Sequence, residues 1–258
     1  MSTTKPAPGG PAVKPHSMLE DYNQSVPDPL AHFQAIPWCA TLLASRANLQ
    51  VIVPDRRPLA SGESNFVRKT MNSPTTVRAC VTFFRLLKPP KSKLISPPSS
   101  GGTGEVSPAG GAAAVGAPKT KAVLSASDAL LSSGGGKESG EDPRNPFLVF
   151  HALADLGEDM TSYVGTMHGG LYGVLMDEVM GTAANFQSQN GAYTVSFTTK
   201  FRRAVSPPQI VLIRGRVLRK EGRKIWVKGT IEDKDGNIMA EGDGMWLAMN
   251  RNVGRSQL

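Results

Sequence analysis

Between residues 193 and 249 the chain alternates apolar and polar side chains in four runs broken by short turns, and few folds accommodate that pattern. Tyr193, Val195, Phe197 and Phe201 alternate with Thr194, Ser196, Thr198, Lys200 and Arg202, the period of a strand with one buried face. Ile210 to Leu218 reads as a second strand, Glu221-Gly222 as a turn, and Ile225, Val227 and Ile231 mark a third. Asp235-Gly236 is a two-residue hairpin signal, and Ile238 to Met249 completes the set. A single helix, residues 169–187, precedes them. Strands joined by tight turns pair antiparallel, so this half of the chain predicts a meander following one helix.

The first half supplies the remaining pieces. Asp28-Pro29 is an N-cap followed by proline at the first helical position, and Leu30, Phe33 and Ile36 follow at helical spacing. Pro37 breaks that helix and starts a second through Trp38, Leu42 and Leu43. Residues 77–87 and 147–153 read as two further strands. Between them, 31 of the 46 residues 95–140 are Gly, Ser, Pro or Ala and none is aromatic. Such a stretch cannot bury enough apolar surface to offset its ordering entropy, so it is expected to stay mobile and contribute nothing to the core. Ala122 to Leu131, with Val123, Leu124, Leu130 and Leu131, is the one part able to form a short helix. The expectation is an α+β fold, six antiparallel strands curled around one central helix. Residues 18–258 then form a single domain, interrupted by a disordered low-complexity insertion at 88–144 that joins the first two strands. Residues 1–17 lack the apolar stretch of a secretory signal and the arginines of a mitochondrial presequence, and read as a disordered tail.

Composition narrows the function classes. No run of about 18 apolar residues exists, which excludes a membrane-spanning helix. Two cysteines, Cys39 and Cys80, form neither a disulfide framework nor a zinc site; they fit a reducing compartment, with the cytoplasm expected and a mitochondrial location left open. The net charge of +8 concentrates in residues 200–224, where nine basic residues face the single acid Glu221. That cluster suits a phosphorylated ligand, a polyanion, or simply a solvated face.

The chemistry-bearing segment is 165–184. Two glycines directly after His168, at a helix start, are costly for helix propensity. They leave an N-terminus whose N–H groups, reinforced by the helix dipole, a ligand can approach closely, and such groups suit a developing oxyanion. Gly173, Asp177 and Gly181 then fall on one helical face, so the acid is expected to have open space beside it for a substrate.

His168-Gly169-Gly170, then Leu175-x-Asp177, then Gly181 resemble the HGG-x4-L-x-D-x3-G signature of hotdog-fold acyl-CoA thioesterases of the phenylacetate-pathway and THEM type. The run Thr194 to Arg203 also resembles that family's strand after the helix. The resemblance spans roughly residues 145–250, with a weaker echo in 28–87. It implies a hotdog fold and hydrolysis of an acyl-CoA thioester, with no cofactor and no metal. Gly169 is then the oxyanion donor, Asp177 the general base or the nucleophile, and Thr194 a residue that positions water. His168 shapes the turn and touches substrate, while Gly170, Gly173 and Ser162 line its site; several relatives have Asn where this chain has Ser162.

Gly169 and Asp177 stand eight residues apart, about 12 Å along a helix axis. One helix therefore cannot bring both within about 3 Å of one reacting carbonyl. Two antiparallel copies can, which predicts a homodimer, alone or in a dimer of dimers. Arg202 and Arg203, with Arg214, Arg216, Arg219, Lys220, Arg223 and Lys224 behind them, are candidates for the phosphates of coenzyme A. The alternatives are a non-catalytic acyl-CoA-binding protein of the same fold, a hotdog hydratase, for which a second acid–histidine pair is lacking, and a nucleic-acid binder using residues 200–224. The cluster has no interleaved aromatics or helical reading head, so no nucleic-acid partner is expected.

Overall fold

A computed structural model describes residues 22–87, 125–132 and 148–250. The tail expected at 1–17 and most of the insertion, 88–124 and 133–144, lie outside the described residues. Asp28 caps α1 (Pro29–Gln34) by accepting the Ala31 N–H at 2.9 Å, and Pro37 opens α2 (Pro37–Leu43). Strands β1 (Asn48–Ile52) and β2 (Val77–Leu86) follow, then α3 (Ala126–Ser132) and β3 (Leu148–Leu156). A small hairpin, β4 (Thr161–Tyr163) and β5 (Thr166–Met167), leads into α4 (Gly169–Asn185). The last four strands are β6 (Ala192–Phe201), β7 (Gln209–Glu221), β8 (Lys224–Glu232) and β9 (Ile238–Ala248); only β7 to β9 form the expected meander, because β6 pairs with β9 and not with β7.

The main sheet is antiparallel and runs β1-β2-β3-β7-β8-β9-β6, wrapped over α4. The antiparallel sheet around a central helix is as expected, with seven strands rather than six. The added one, β1, is a short edge whose three middle residues are exposed, so it carries no alternation to read. β2 and β3 pair directly, Val77 opposite Leu156 through Leu86 opposite Leu148. The insertion thus joins the second and third strands in chain order.

What lets α4 lie close to the sheet is a row of glycines. Gly215, Gly229 and Gly242 are direct cross-strand neighbours on β7, β8 and β9. A Cβ at Gly215 would stand 3.0 Å from the Met180 Cα and the Val179 carbonyl of α4, and one at Gly229 2.6 Å from the Met180 sulfur. Met176 and Met180 fill the space so left and are fully buried, with Leu175, Val179 and Ala183 around them.

The opposite face of the sheet is covered too. Leu30, Phe33, Cys39 and Leu43 of α1 and α2 pack on Val81, Phe83, Leu153 and Leu212. β3 is consequently buried on both faces, as a central strand between two helical layers must be. Beside α1 and α2 lies α3, which corrects the expectation that residues 95–140 contribute nothing. Leu131 is fully buried against Leu87 and Val149. The reason is electrostatic as well as apolar. Arg214 and Arg216 point outward from β7, and α3 gives them the Ser127 hydroxyl at 3.1 Å, the Asp128 carboxylate at 2.5 Å and the Leu131 carbonyl.

Candidate active site

α4 begins at His168, which caps the helix with its ring: Nδ1 accepts the Gly170 N–H at 3.0 Å. An accepting Nδ1 leaves the proton of a neutral ring on Nε2. The His168 N–H is held by the Met160 carbonyl at 2.9 Å. The Gly170 amide is therefore engaged within the turn. The neighbouring Gly169 N–H is the first of a 17-residue helix and has no acceptor among the described residues, and Gly169 is exposed. An exposed amide at the positive end of a helix dipole is a donor suited to an anionic oxygen.

The loop behind this end is tied down. Tyr172, buried, accepts the Val205 N–H at 2.7 Å, and the Val205 carbonyl accepts the Met167 N–H at 2.9 Å. Phe201 stands edge-on to the Tyr172 ring with centroids 5.2 Å apart. Its Cζ is 3.7 Å from where a Cβ at Gly169 would be, while the ring is 59% exposed. An exposed aromatic ring is thus fixed beside the free amide, a neighbour that spacing along the sequence does not announce.

Two turns along α4, half-buried Asp177 accepts a 2.6 Å hydrogen bond at Oδ1 from the Thr194 hydroxyl of β6. Simple alternation would place Thr194 on the face opposite Phe197. A β-bulge between Thr194 and Ser196 changes the parity, since Thr194 faces Trp246 and Ser196 faces Met245 with Val195 left over. Thr194, Phe197 and Phe201 all reach α4 as a result. Part of the open space expected beside Asp177 is taken up by aromatic rings. A Cβ at Gly173 would meet Phe197 at 3.8 Å, and one at Gly181 would meet the Trp246 Nε1 at 3.2 Å. Those glycines accommodate rings of the same protomer.

β6 also departs from the expected half-buried strand. It is an edge of the sheet, and Tyr193, Val195 and Phe201 are 51%, 50% and 59% exposed, leaving Phe197 to pack inward. Ser162 is exposed in β4, next to the exposed Tyr163 and Val164 of the hairpin tip.

The basic cluster divides. Arg202 and Arg203 are exposed, with the Arg202 Nε donating to Glu241 at 2.7 Å and an Arg203 nitrogen to the Ile238 carbonyl at 3.2 Å. Arg214 and Arg216 are buried on the far side of the sheet and cannot reach a phosphate, contrary to their candidacy. Arg219 stacks 3.8 Å over Trp226 and pairs with Glu221, Lys220 donates to the Gln187 carbonyl, and Arg223 to the Ala248 carbonyl.

Glu178, next to Asp177, escaped sequence reading. Burial, and then the Asp177 charge beside it, push its carboxyl up to about 7. The thiols of Cys39 and Cys80 are pushed up by burial to about 12 and about 11, so neither is a ready nucleophile. No group of three His, Cys, Asp or Glu residues that could hold a metal lies together among the described residues. No helix among them is long and apolar enough to cross a membrane.

Residues 164–240, which hold His168, Gly169, Asp177 and Thr194, match the model of the thioesterase superfamily. The match covers α4, β6 to β8 and the start of β9, and the whole antiparallel sheet wrapped around α4 has the hotdog architecture. Among solved structures, the chain is similar to a thioesterase superfamily protein at 23% identity and a TM-score of 0.36, over 38% of this chain and 48% of that one, about half its length. Zebrafish thioesterase superfamily member 2 matches at 22% identity, over 39% and 75% of the two chains, with a TM-score of 0.37. A Streptococcus mutans protein bound to acetyl-CoA matches at 16% identity, over 40% and 83%, with a TM-score of 0.38. No curated protein matches the sequence.

Proposed function

We propose that this chain hydrolyses acyl-CoA thioesters to a free acid and coenzyme A. The observation that carries the reading is the Asp177–Thr194 pair, 2.6 Å apart, on the same helix as the free Gly169 amide and inside the thioesterase-superfamily segment. The Thr194 hydroxyl occupies Asp177 Oδ1 and fixes the carboxylate, leaving Oδ2 to act. As general base, Asp177 takes a proton from water as its oxygen bonds to the thioester carbon; the C–S bond then breaks and the thiolate leaves with a proton. As nucleophile, Oδ2 bonds to the carbonyl carbon, the C–S bond breaks and the thiolate leaves and takes up a proton, and water then cleaves the resulting anhydride to the free acid and the Asp177 carboxylate. In both routes the carbonyl oxygen becomes an oxyanion, which the Gly169 N–H stabilises. His168 contributes by closing the turn that keeps that amide exposed. Gly170 and Gly173 lie along α4 between Gly169 and Asp177, and Ser162 lies in the hairpin before the helix, where we place the substrate.

The two groups sit about 12 Å apart on one helix, so each site takes Gly169 from one copy and Asp177 from another. The exposed edge β6, with Tyr193, Val195 and Phe201 outward, is the surface we assign to that two-fold pairing, since an unpaired edge strand is a template for a second strand. Arg202 and Arg203 at its end are the cations we assign to the phosphates of coenzyme A. Residues 18–258 act as one domain in this reading, in a reducing compartment such as the cytoplasm where Cys39 and Cys80 remain thiols.

Release of free thiol from a panel of acyl-CoAs tests the activity. Asp177→Asn keeps the side chain's size and its bond to Thr194 but should lower turnover at least about a hundredfold, the usual scale of acid–base catalysis. Near-normal hydrolysis by a folded variant contradicts the assignment. Acyl-CoA binding by the wild type without thiol release would identify a non-catalytic binding protein.

A further inference from the structure

On the side of α4 away from Thr194, a cavity opens between the helix, strands β2 and β3, and the irregular segment 54–77. Its walls are mainly apolar, with Val67, Met71, Val77, Phe150, Leu175 and Val179 contributing. The segment that closes it lies outside the residues 164–240 that match the family model.

The frame of the cavity is held open rather than collapsed. Arg56 is buried and donates to the carbonyls of Val77, Val67 and Met71 at 2.8, 3.0 and 2.7 Å. Arg68 donates to the carbonyls of Asp55 and Arg57 at 2.8 and 2.9 Å. Both guanidinium groups brace backbone, and Asp55 is bonded to Arg57. The Thr182 hydroxyl is returned to the Glu178 carbonyl at 2.7 Å. Glu178 is different. Its carboxyl lines the cavity and has no hydrogen-bond or ion-pair partner among the described residues.

Arg68 and Arg56 act on its charge from across the cavity, but the lack of a bonded partner sets it apart from the buried acids. Asp155 is paired with His32 and Arg78, Glu232 with Arg214 and Thr230, and Glu241 with Arg202. Leaving a half-buried carboxyl without a bonded partner in apolar surroundings is destabilising, and a chain that pairs its buried acids has the means to avoid it. We propose that the cavity binds a compact apolar group bearing one hydroxyl, with Glu178 as its polar anchor.

A neutral carboxyl donates one hydrogen bond and accepts another, and a hydroxyl satisfies both. Arg56 and Arg68 in the wall disfavour an ammonium, while Asp55 in the wall and Asp177 next to Glu178 offset their attraction for a carboxylate. Burial supports the neutral form, since Glu178 is pushed up to about 7. The hydroxyl can belong to a free alcohol or to the tail of an acyl thioester. Only the second source rests on the hydrolysis proposed above; the first stands without it.

Calorimetric titration of the full chain with hexan-1-ol and with its methyl ether, which accepts but cannot donate, tests the anchor below pH 7. Hexan-1-ol should bind about tenfold tighter, the usual worth of one hydrogen bond completed in a buried site. Glu178→Gln, which keeps a donor and an acceptor, should retain that preference, and Glu178→Leu should lose it. Absence of hexan-1-ol binding, equal binding of the two compounds, or an undiminished preference in Glu178→Leu overturns the proposal. The source is separated by kcat/KM for hydroxyhexanoyl-CoA relative to hexanoyl-CoA. A ratio that falls in Glu178→Leu assigns the cavity to the acyl tail, and an unchanged ratio alongside the lost alcohol preference assigns it to a free alcohol.

Discussion

The two faces of the main sheet treat polar groups in opposite ways. On the outer face the buried charges have partners from another element: α1 brings His32 to Asp155, and α3 brings Ser127 and Asp128 to Arg214. Even the backbone takes part, through the Leu131 carbonyl at Arg216. On the inner side, among the described residues, α4 presents the Gly169 amide without an acceptor, Asp177 with one oxygen engaged, and Glu178 with none. The contrast separates structure from chemistry better than charge or burial does. Arg216 is more deeply buried than Asp177, yet it belongs to the scaffold because its partners are built in.

Arg214→Met removes the cation shared by Asp128 and Glu232, leaving Glu232 buried, and should cost about 3–5 kcal/mol in urea unfolding. A variant as stable as the wild type would mean that apolar contact through Leu131 holds α3 by itself. On the inner face the sensitive point is the glycine row. Gly215→Val drives a Cβ against the Met180 backbone and should cost about 1–3 kcal/mol by overpacking. Unchanged stability would show that α4 can move away from the sheet freely.

The smallest effect is a pH dependence. Glu178 titrates near 7 in the folded chain against a usual 4.5, so the folded state holds that proton more tightly than the unfolded chain does. Its contribution to stability therefore falls as pH rises from 4.5 to about 7. Glu178→Gln should raise the melting temperature relative to wild type more at pH 8 than at pH 5. An offset independent of pH would place the carboxyl in water.

Elements set by local rules were legible in the sequence. Asp28-Pro29 and Pro37 mark α1 and α2, and alternation with Asp235-Gly236 marks β7, β8 and β9. Features set by register were not. That Gly215, Gly229 and Gly242 lie side by side depends on strand pairing, and that Thr194 meets Asp177 depends on the bulge at Val195. The short helix within Ala122–Leu131 could be read from its leucines, but its anchors, Arg214 and Arg216, lie about 85 residues away, as the Arg216–Leu131 bond shows. Glu178 was hidden by its neighbour, because Asp177 carried the motif and nothing local shows that segment 54–77 closes over the adjacent face.

Complementation between two inactive variants tests the shared site most directly. Asp177→Asn retains the Gly169 amide, and Gly169→Val, whose Cβ meets only the Phe201 ring at 3.7 Å, blocks approach to that amide while keeping Asp177. Each variant alone should be inactive toward acyl-CoA. After subunit exchange at equal concentrations, half the dimers are mixed and each has one competent site, so about a quarter of wild-type thiol release should return. No recovery after exchange is confirmed by mass would contradict a site built from Gly169 of one copy and Asp177 of the other.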